Sequence, residues 1–390
     1  MATTNETANG KRILILGAAG NTGARVARFL RRQRPQTGLI LAGRTEAPLL
    51  RLAKELAGDA DDTVAPVEVR RIDASDPASV EAGLDGVGLA VVASSTSAFV
   101  ETVVRALCKA RVDYIDPQLG AGKIERLRAL APEIERAGIC VMTDAGFSPG
   151  MQAVVARHAA SRVEKPRHAL VATAAFMDWS HVDGSPSTME EAVGGFGSVR
   201  LLCFRQGAWV KARLGADGQR VGFGPPIGER GCTPLFVEEL RDLPVSFPTL
   251  EEIRHVSCGF NWLVNFFVMP VVMLAAAMSW RAFTRLAGRL LLWALKRSRP
   301  PFRCIVQAEV TGEKDGQPAS AFVRVSHADG YDITAIPVVA GILQWLDGNL
   351  ARPGLFTLGN LVEPVRYVAD IEKMGATVDL GGTAASPPSC

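Results

Sequence analysis

Four apolar residues, Ile13-Leu14-Ile15-Leu16, follow one another without alternation near the start of the chain. An unbroken run of this kind predicts a strand buried on both faces, as in a parallel sheet, rather than one with a wet side. Glycines at 17, 20 and 23 come next, and an amphipathic helix begins at once and runs through Leu30. The same rhythm then repeats. Strands are predicted at Leu39–Thr45, Val67–Ile72, Leu89–Thr96, Val112–Asp116 and Ile139–Thr143. Asp76-Pro77 offers an N-cap and a first-turn proline for the helix after the third strand. A helix over Phe99–Ala110 follows the fourth. Another over Ala121–Ala137 places Ile124, Leu127, Leu130, Ala131 and Ile134 on one face, with Gly138 closing it. Regular strand–helix alternation with buried strands predicts an α/β, doubly wound parallel sheet over residues 11–150.

Beyond 150 the pattern changes. His168–Met177 reads as a strand, and further strands are expected around Leu201, Ala208 and Gln219, over Arg303–Val310 and near Ala321–Val325. Asp315-Gly316 between the last two is a hairpin signal, so this sheet is mixed or antiparallel and residues 151–333 form a second, α+β domain. Ser187 and Glu190 have the spacing of a capping box. Within this domain, residues 259–299 are an apolar and basic helical insertion. No charge occurs from Phe260 to Trp280, and the stretch approaches the ~20 residues that cross a bilayer, interrupted by Asn265 and Pro270. A basic amphipathic helix follows, with Arg281, Arg285 and Arg289 four apart beside Leu286, Leu290 and Trp293, and then Lys296, Arg297 and Arg299. Such a pair is read as a buried hairpin or dimer core, or as an element lying in a membrane interface. A true span is the least expected, because residues after it must complete the first domain on the same side.

Composition narrows the class. A chain of 390 residues with 48% apolar content can hold two domains with proper cores. Its net charge of +3, with the bases mostly dispersed, argues against a nucleic-acid binder. The 7 cysteines share no metal-like spacing and read as reduced thiols of a cytoplasmic chain, so no metal is expected. Met1–Gly10 is polar and lacks the apolar core of a signal peptide, and the tail 381–390 is rich in Gly, Ser and Pro and expected to be disordered.

The chemistry concentrates at the strand ends. A glycine turn between a buried strand and a helix lets the backbone approach a pyrophosphate, whose charge then meets the helix N-terminus. Gly17, Ala19, Gly20, Asn21, Thr22 and Gly23 are therefore expected to hold a dinucleotide. Such a domain selects its cofactor about 20 residues further on, by an acid for the ribose hydroxyl or an Arg for a 2′-phosphate. Here stand Gly43-Arg44-Thr45 with no acid, which predicts NADP. Asp73 is expected beside the adenine, or as a loop cap. Ser94 and Ser95, with the turn holding Gly146 and Phe147, are expected near the nicotinamide. Tyr114, Asp116 and Asp144, followed by the loop histidine His181, are the candidates for moving a proton. Capping or loop hydrogen bonding is the plainer role for each carboxylate.

Three stretches together resemble the saccharopine dehydrogenase-like family of NAD(P)-dependent oxidoreductases. Gly17–Gly23 with Ala42-Gly43-Arg44-Thr45 looks like the family's cofactor loop and its basic second-strand terminus. Tyr114-Ile115-Asp116 and Asp144-Ala-Gly146-Phe-Ser-Pro149-Gly150 are similar to its Tyr-x-Asp and its Pro-Gly turn. Tyr331–Gly341, Pro353-Gly354, Glu363-Pro364 and Gly375 look like its C-terminal helix and tail, which return to the nucleotide domain over 334–376. The family turn often carries Asp before Pro-Gly where this chain has Ser148, so lysine metabolism is not carried over. The resemblance implies a Rossmann-type NADP domain, a second domain that supports a substrate cleft and a homodimer contact, and hydride transfer to or from a C=N, C=O or C=C bond of a small substrate; the apolar stretch within 259–299 suggests that this substrate has hydrophobic character. Two other classes compete. One is a non-catalytic NADP-binding scaffold or sensor docked at a membrane surface. The other is a Rossmann lyase or epimerase with a tightly held cofactor.

Overall fold

The computed structural model describes residues 12–382 except 58–63, 95, 119, 121, 181–192, 197–198, 279 and 351. The chain divides into two units, residues 1–147 with 334–362 and residues 148–333 with 363–390.

The first unit is a seven-stranded parallel sheet. Strands β1 (Arg12–Leu16), β2 (Leu39–Gly43), β3 (Val67–Arg71), β4 (Val87–Val92), β5 (Asp113–Ile115) and β6 (Cys140–Thr143) alternate with helices α1 (Asn21–Gln33), α2 (Glu46–Ala57), α3 (Pro77–Ala82), α4 (Val100–Ala110), α5 (Lys123–Ala129) and α6 (Ala131–Ala137). The sheet order runs β3-β2-β1-β4-β5-β6, and a seventh strand, Gly354–Thr357, adds to β6. The winding reverses between β1 and β4, so the loops after these two strands flank the switch-point crevice.

Burial explains the parallel sheet. Leu14, Leu16, Ile40, Ala42, Ala90, Val92 and Tyr114 join one apolar cluster with residues of α3 to α6. Their neighbours Ile13, Ile15, Leu39, Leu41, Leu89, Val91 and Ile115 alternate to the other face and are equally buried. Helix Asp332–Leu346 packs on that second face, where a Cβ on Gly341 would meet Leu358 and Ile115. Asp76 caps α3 by accepting from Ala78 N at 3.0 Å, with Pro77 at the first position, as its sequence predicts. The helix expected over 121–137 is two helices instead. Pro132, near the start of α6, has no N–H and cannot continue the ladder, so the chain breaks at Leu130.

The second unit is a mixed sheet. Strand Lys165–Phe176 lies at its centre, parallel to Glu252–Cys258 and antiparallel to Arg303–Lys314. Arg303–Lys314 and Gln317–His327 form the hairpin that Asp315-Gly316 announces, with Lys314 opposite Gln317 and both turn residues at positive φ, 53° and 72°. Buried Glu239 caps the helix Gln152–Ala160 by accepting from Gly150 N at 2.6 Å and Ala153 N at 3.1 Å. The segment expected to return to the nucleotide domain over 334–376 returns only to Val362. Strand Thr377–Gly381 pairs with Gln317–His327, so this strand and the helix before it, Pro364–Lys373, belong to the second unit. Of the 381–390 tail, residues 383–390 fall outside the described residues, as do Ser187 and Glu190.

The apolar insertion is a helical hairpin. A π-turn over Val264–Val268 leads into Met269–Met278, and helix Arg281–Leu295 comes back beside it. Val264, Val268, Val272 and Ala275 of the first arm and Ala287, Leu291, Ala294 and Leu295 of the second bury one shared face. Among the described residues no helix is long and apolar enough to cross a membrane.

Candidate functional site

The loop after β1 has the three constraints of a phosphate cradle. Gly17 sits at φ 87°, and a Cβ there would stand 2.6 Å from Ser94 Cβ, so only glycine fits this turn. A Cβ on Gly23 would stand 2.3 Å from Gly17 O, which is why α1 can press against the end of β1. Gly20 is the N-cap of α1 with ordinary φ, and no side chain caps the helix there. Ala19, Gly20 and Asn21 are exposed, with Thr22 half-buried behind them. The first-turn N–H groups of a 13-residue helix therefore face an open cradle, and among the described residues the N-cap supplies no side-chain acceptor for them. An anion is the natural ligand, and a pyrophosphate fits.

Arg44 and Thr45 follow β2 on its exposed carboxyl end, next to this loop in the sheet order. Asp73 follows β3. It accepts from Ser75 N at 3.0 Å and Ser75 Oγ at 2.7 Å, and these bonds, then the charges of Arg44 and Arg71, hold its carboxyl below the usual range. Asp73 is thus a loop cap that also feels the charge of Arg44. Ser94, after β4, closes the other side of the crevice and shares a 3.1 Å contact with Thr96. Gln118 donates to the Ser94 carbonyl and, at 3.0 Å, to Thr96 Oγ1. Ser95 lies outside the described residues. Gly146 and Phe147 are buried in the turn after β6.

Tyr114, Asp116 and Asp144 come together. β5 and β6 are neighbours, and Asp116 and Asp144 follow them at the same edge of the sheet. Between the two carboxylates stands Lys123, which the sequence reading does not single out. Its Nζ is 2.6 Å from Asp116 Oδ1 and 3.0 Å from Asp144 Oδ1, and it also donates to the Gln118 carbonyl. Asp116 is fully buried and Lys123 is 2% exposed. Asp116 further accepts from Gln118 N at 2.8 Å and Thr143 Oγ1 at 2.8 Å. Burial works against the Lys123 charge, but the two carboxylates outweigh it and hold its pKa above the usual lysine value. Burial first, and then the charges of Asp116 and Asp144, push the Tyr114 phenol well above its ordinary range. The cluster is a closed knot of two carboxylates sharing one ammonium at the turn of Asp144, itself at φ 54°. The signal for Lys123 was indirect: two acids ending adjacent buried strands need a counter-charge. His181 lies outside the described residues. Among the described residues no group of His, Cys, Asp and Glu is arranged to hold a metal.

Residues 13–142 match the family model described as the saccharopine dehydrogenase NADP binding domain. No curated protein sequence matches the chain. Among solved structures, apo saccharopine dehydrogenase (L-Glu forming) from Saccharomyces cerevisiae is similar in fold, with 16% identity and a TM-score of 0.67, covering 96% of this chain and 100% of that one. A meso-dapdh mutant with DAP from Clostridium tetani is more distant, at 11% identity and a TM-score of 0.45 over 91% of this chain and 95% of that one. GenD2 from gentamicin A biosynthesis, in complex with NAD, stands at 14% identity and 0.40 over 96% and 95%.

Proposed function

From a chain that is saccharopine dehydrogenase-like in its nucleotide domain and its fold, we propose an NADP(H)-dependent oxidoreductase acting on a C=N, C=O or C=C bond of a small substrate. The observation that carries the reading is the N-terminus of α1, capped by no side chain of its N-cap Gly20, behind a turn so tight that a Cβ at Gly17 or Gly23 would clash with Ser94 or the Gly17 carbonyl, with Arg44 exposed at the end of the next strand. Ala19 to Gly23 would hold the pyrophosphate by backbone N–H groups. Arg44 would pair with a 2′-phosphate, with the Asp73 charge in its surroundings. Ser94 and the Gly146–Phe147 turn would bound the nicotinamide end. The bound cofactor supplies or accepts the hydride, and the chain supplies orientation.

The Lys123 knot suits positioning better than proton transfer. Lys123 and Tyr114 both hold their protons more tightly than usual, so neither is a ready acid near neutral pH. In this reading Asp116 and Asp144 lock the turn that Gly146 and Phe147 extend, and the product's proton comes from solvent or from His181.

Purified protein mixed with NADPH and a panel of imines, ketones and enoyl thioesters tests the assignment. Substrate-dependent loss of NADPH absorbance is the expected result. Binding with no oxidation across the panel favours the scaffold. NADP(H) that copurifies and shows no net turnover favours a lyase or epimerase.

A further inference from the structure

The hairpin over 262–299 is apolar on two sides. Val264, Val268, Val272 and Ala275 face the partner arm and are buried. The opposite stripe of the same arm should be polar if it met only water. Instead it carries Trp262, Phe266, Met273, Leu274 and Met278, with Phe266 73% and Trp262 67% exposed. The returning helix continues this surface with Leu286 and Trp293, both exposed, beside the exposed Arg285 and Arg289. Most of the large exposed apolar side chains among the described residues fall in this one hairpin.

Charge says what covers it. From Ile253 to Ala308 the sequence has no Asp or Glu, while Arg281, Arg285, Arg289, Lys296, Arg297 and Arg299 cluster in and just after the second arm. A second copy of this chain would bring the same cluster of bases against itself. A surface of anionic phospholipid would match both features: apolar side chains enter the acyl boundary and the bases remain among the phosphates. Trp262, Trp280 and Trp293 are all exposed, the side chain best suited to a boundary with one apolar and one wet side. The Arg297 guanidinium lies 3.7 Å from the Trp293 ring centre, so a base and an aromatic already share one site on this face.

We propose that the 262–299 hairpin docks the protein in the interface of an anionic phospholipid membrane without crossing it. The docking is independent of the cofactor reading, and a failure of one leaves the other standing.

Flotation with vesicles decides it. The full chain should float with vesicles of phosphatidylcholine and phosphatidylglycerol at low salt. Partition should fall at least about tenfold on pure phosphatidylcholine, and similarly when salt shortens the screening length well below ~10 Å. Two double variants divide the contributions. Phe266→Glu with Met273→Glu should abolish flotation by removing the apolar insertion, and Arg285→Glu with Arg289→Glu should abolish the preference for anionic lipid. Circular dichroism and the thermal midpoint report whether each variant is folded, and the lipid and salt arms on the unaltered chain stand without them. Protein left at the bottom of the gradient with anionic vesicles at low salt overturns the proposal. So does binding that survives both folded variants, or a dimer that Phe266→Glu with Met273→Glu splits while no vesicle is bound.

Discussion

Lys123 ties together the ends of two neighbouring strands through one buried ammonium. Its ammonium is hydrogen-bonded to both buried carboxylates, Asp116 and Asp144. Removing one partner of such a knot leaves uncompensated charge in the core, a loss of about 3–5 kcal/mol. Lys123→Met should therefore lower the urea unfolding free energy by that order, and adding Asp116→Asn should restore part of it. A single variant as stable as the unaltered protein would show that the knot carries no net charge penalty. His255, in the second unit, makes a pH prediction. Its imidazole is buried against Thr173 Oγ1 at 3.0 Å, and burial pulls its pKa down to about 4. The folded chain then binds fewer protons than the unfolded one between the two values. Stability from neutral His255 is full above ~6.5 and is lost as pH falls toward 4, by roughly 3 kcal/mol. Denaturation across that window should show a steeper loss in the unaltered protein than in His255→Leu, and equal slopes would contradict the burial account.

At the scale of elements, the glycine turn separates folding from binding. A Cβ on Gly23 would clash with the Gly17 carbonyl, whereas one on Gly20 would stand 3.2 Å from the same oxygen and meet nothing else nearby. Gly23→Ala should lower stability by about 2 kcal/mol through a backbone clash. Gly20→Ala should leave the thermal midpoint within a few degrees and raise the NADPH dissociation constant about tenfold or more, by filling the approach to the helix N-terminus. Equal effects of the two substitutions would mean the loop is not a cradle. This loop was legible in sequence because its chemistry is local: a buried strand, spaced glycines and a helix in succession. The parallel strands were legible for the same reason, and so was the Asp315-Gly316 hairpin. Strand Gly354–Thr357 was not. It is short, and its identity comes from pairing with Cys140–Thr143, far earlier in the chain. Lys123 was hidden likewise, since its role depends on two strand ends that only the sheet brings together. The break at Leu130 was written in Pro132, but the apolar face running through both helices masked it.

At the scale of the whole molecule, two units divide the tasks of the chain. The first is a nucleotide-binding sheet completed by residues 334–362 after a long excursion, and the second is a mixed sheet that carries the apolar hairpin. The account rests on the first being a site for NADP(H), the reading that its match to an NADP-binding family model over residues 13–142 supports. Arg44 is its most exposed commitment: an arginine at the end of β2, with no acid in the 43–45 segment to receive a ribose hydroxyl. A charge-assisted pair with a 2′-phosphate contributes roughly 1.5–3 kcal/mol, a factor of about 10 to 100. Equilibrium titration of the full chain with NADPH and with NADH, repeated on Arg44→Ala, measures this directly. The prediction is NADPH bound at least about tenfold more tightly than NADH, with the preference gone and NADH binding unchanged in Arg44→Ala. Equal affinity for the two cofactors, or a preference that survives the loss of Arg44, would contradict it.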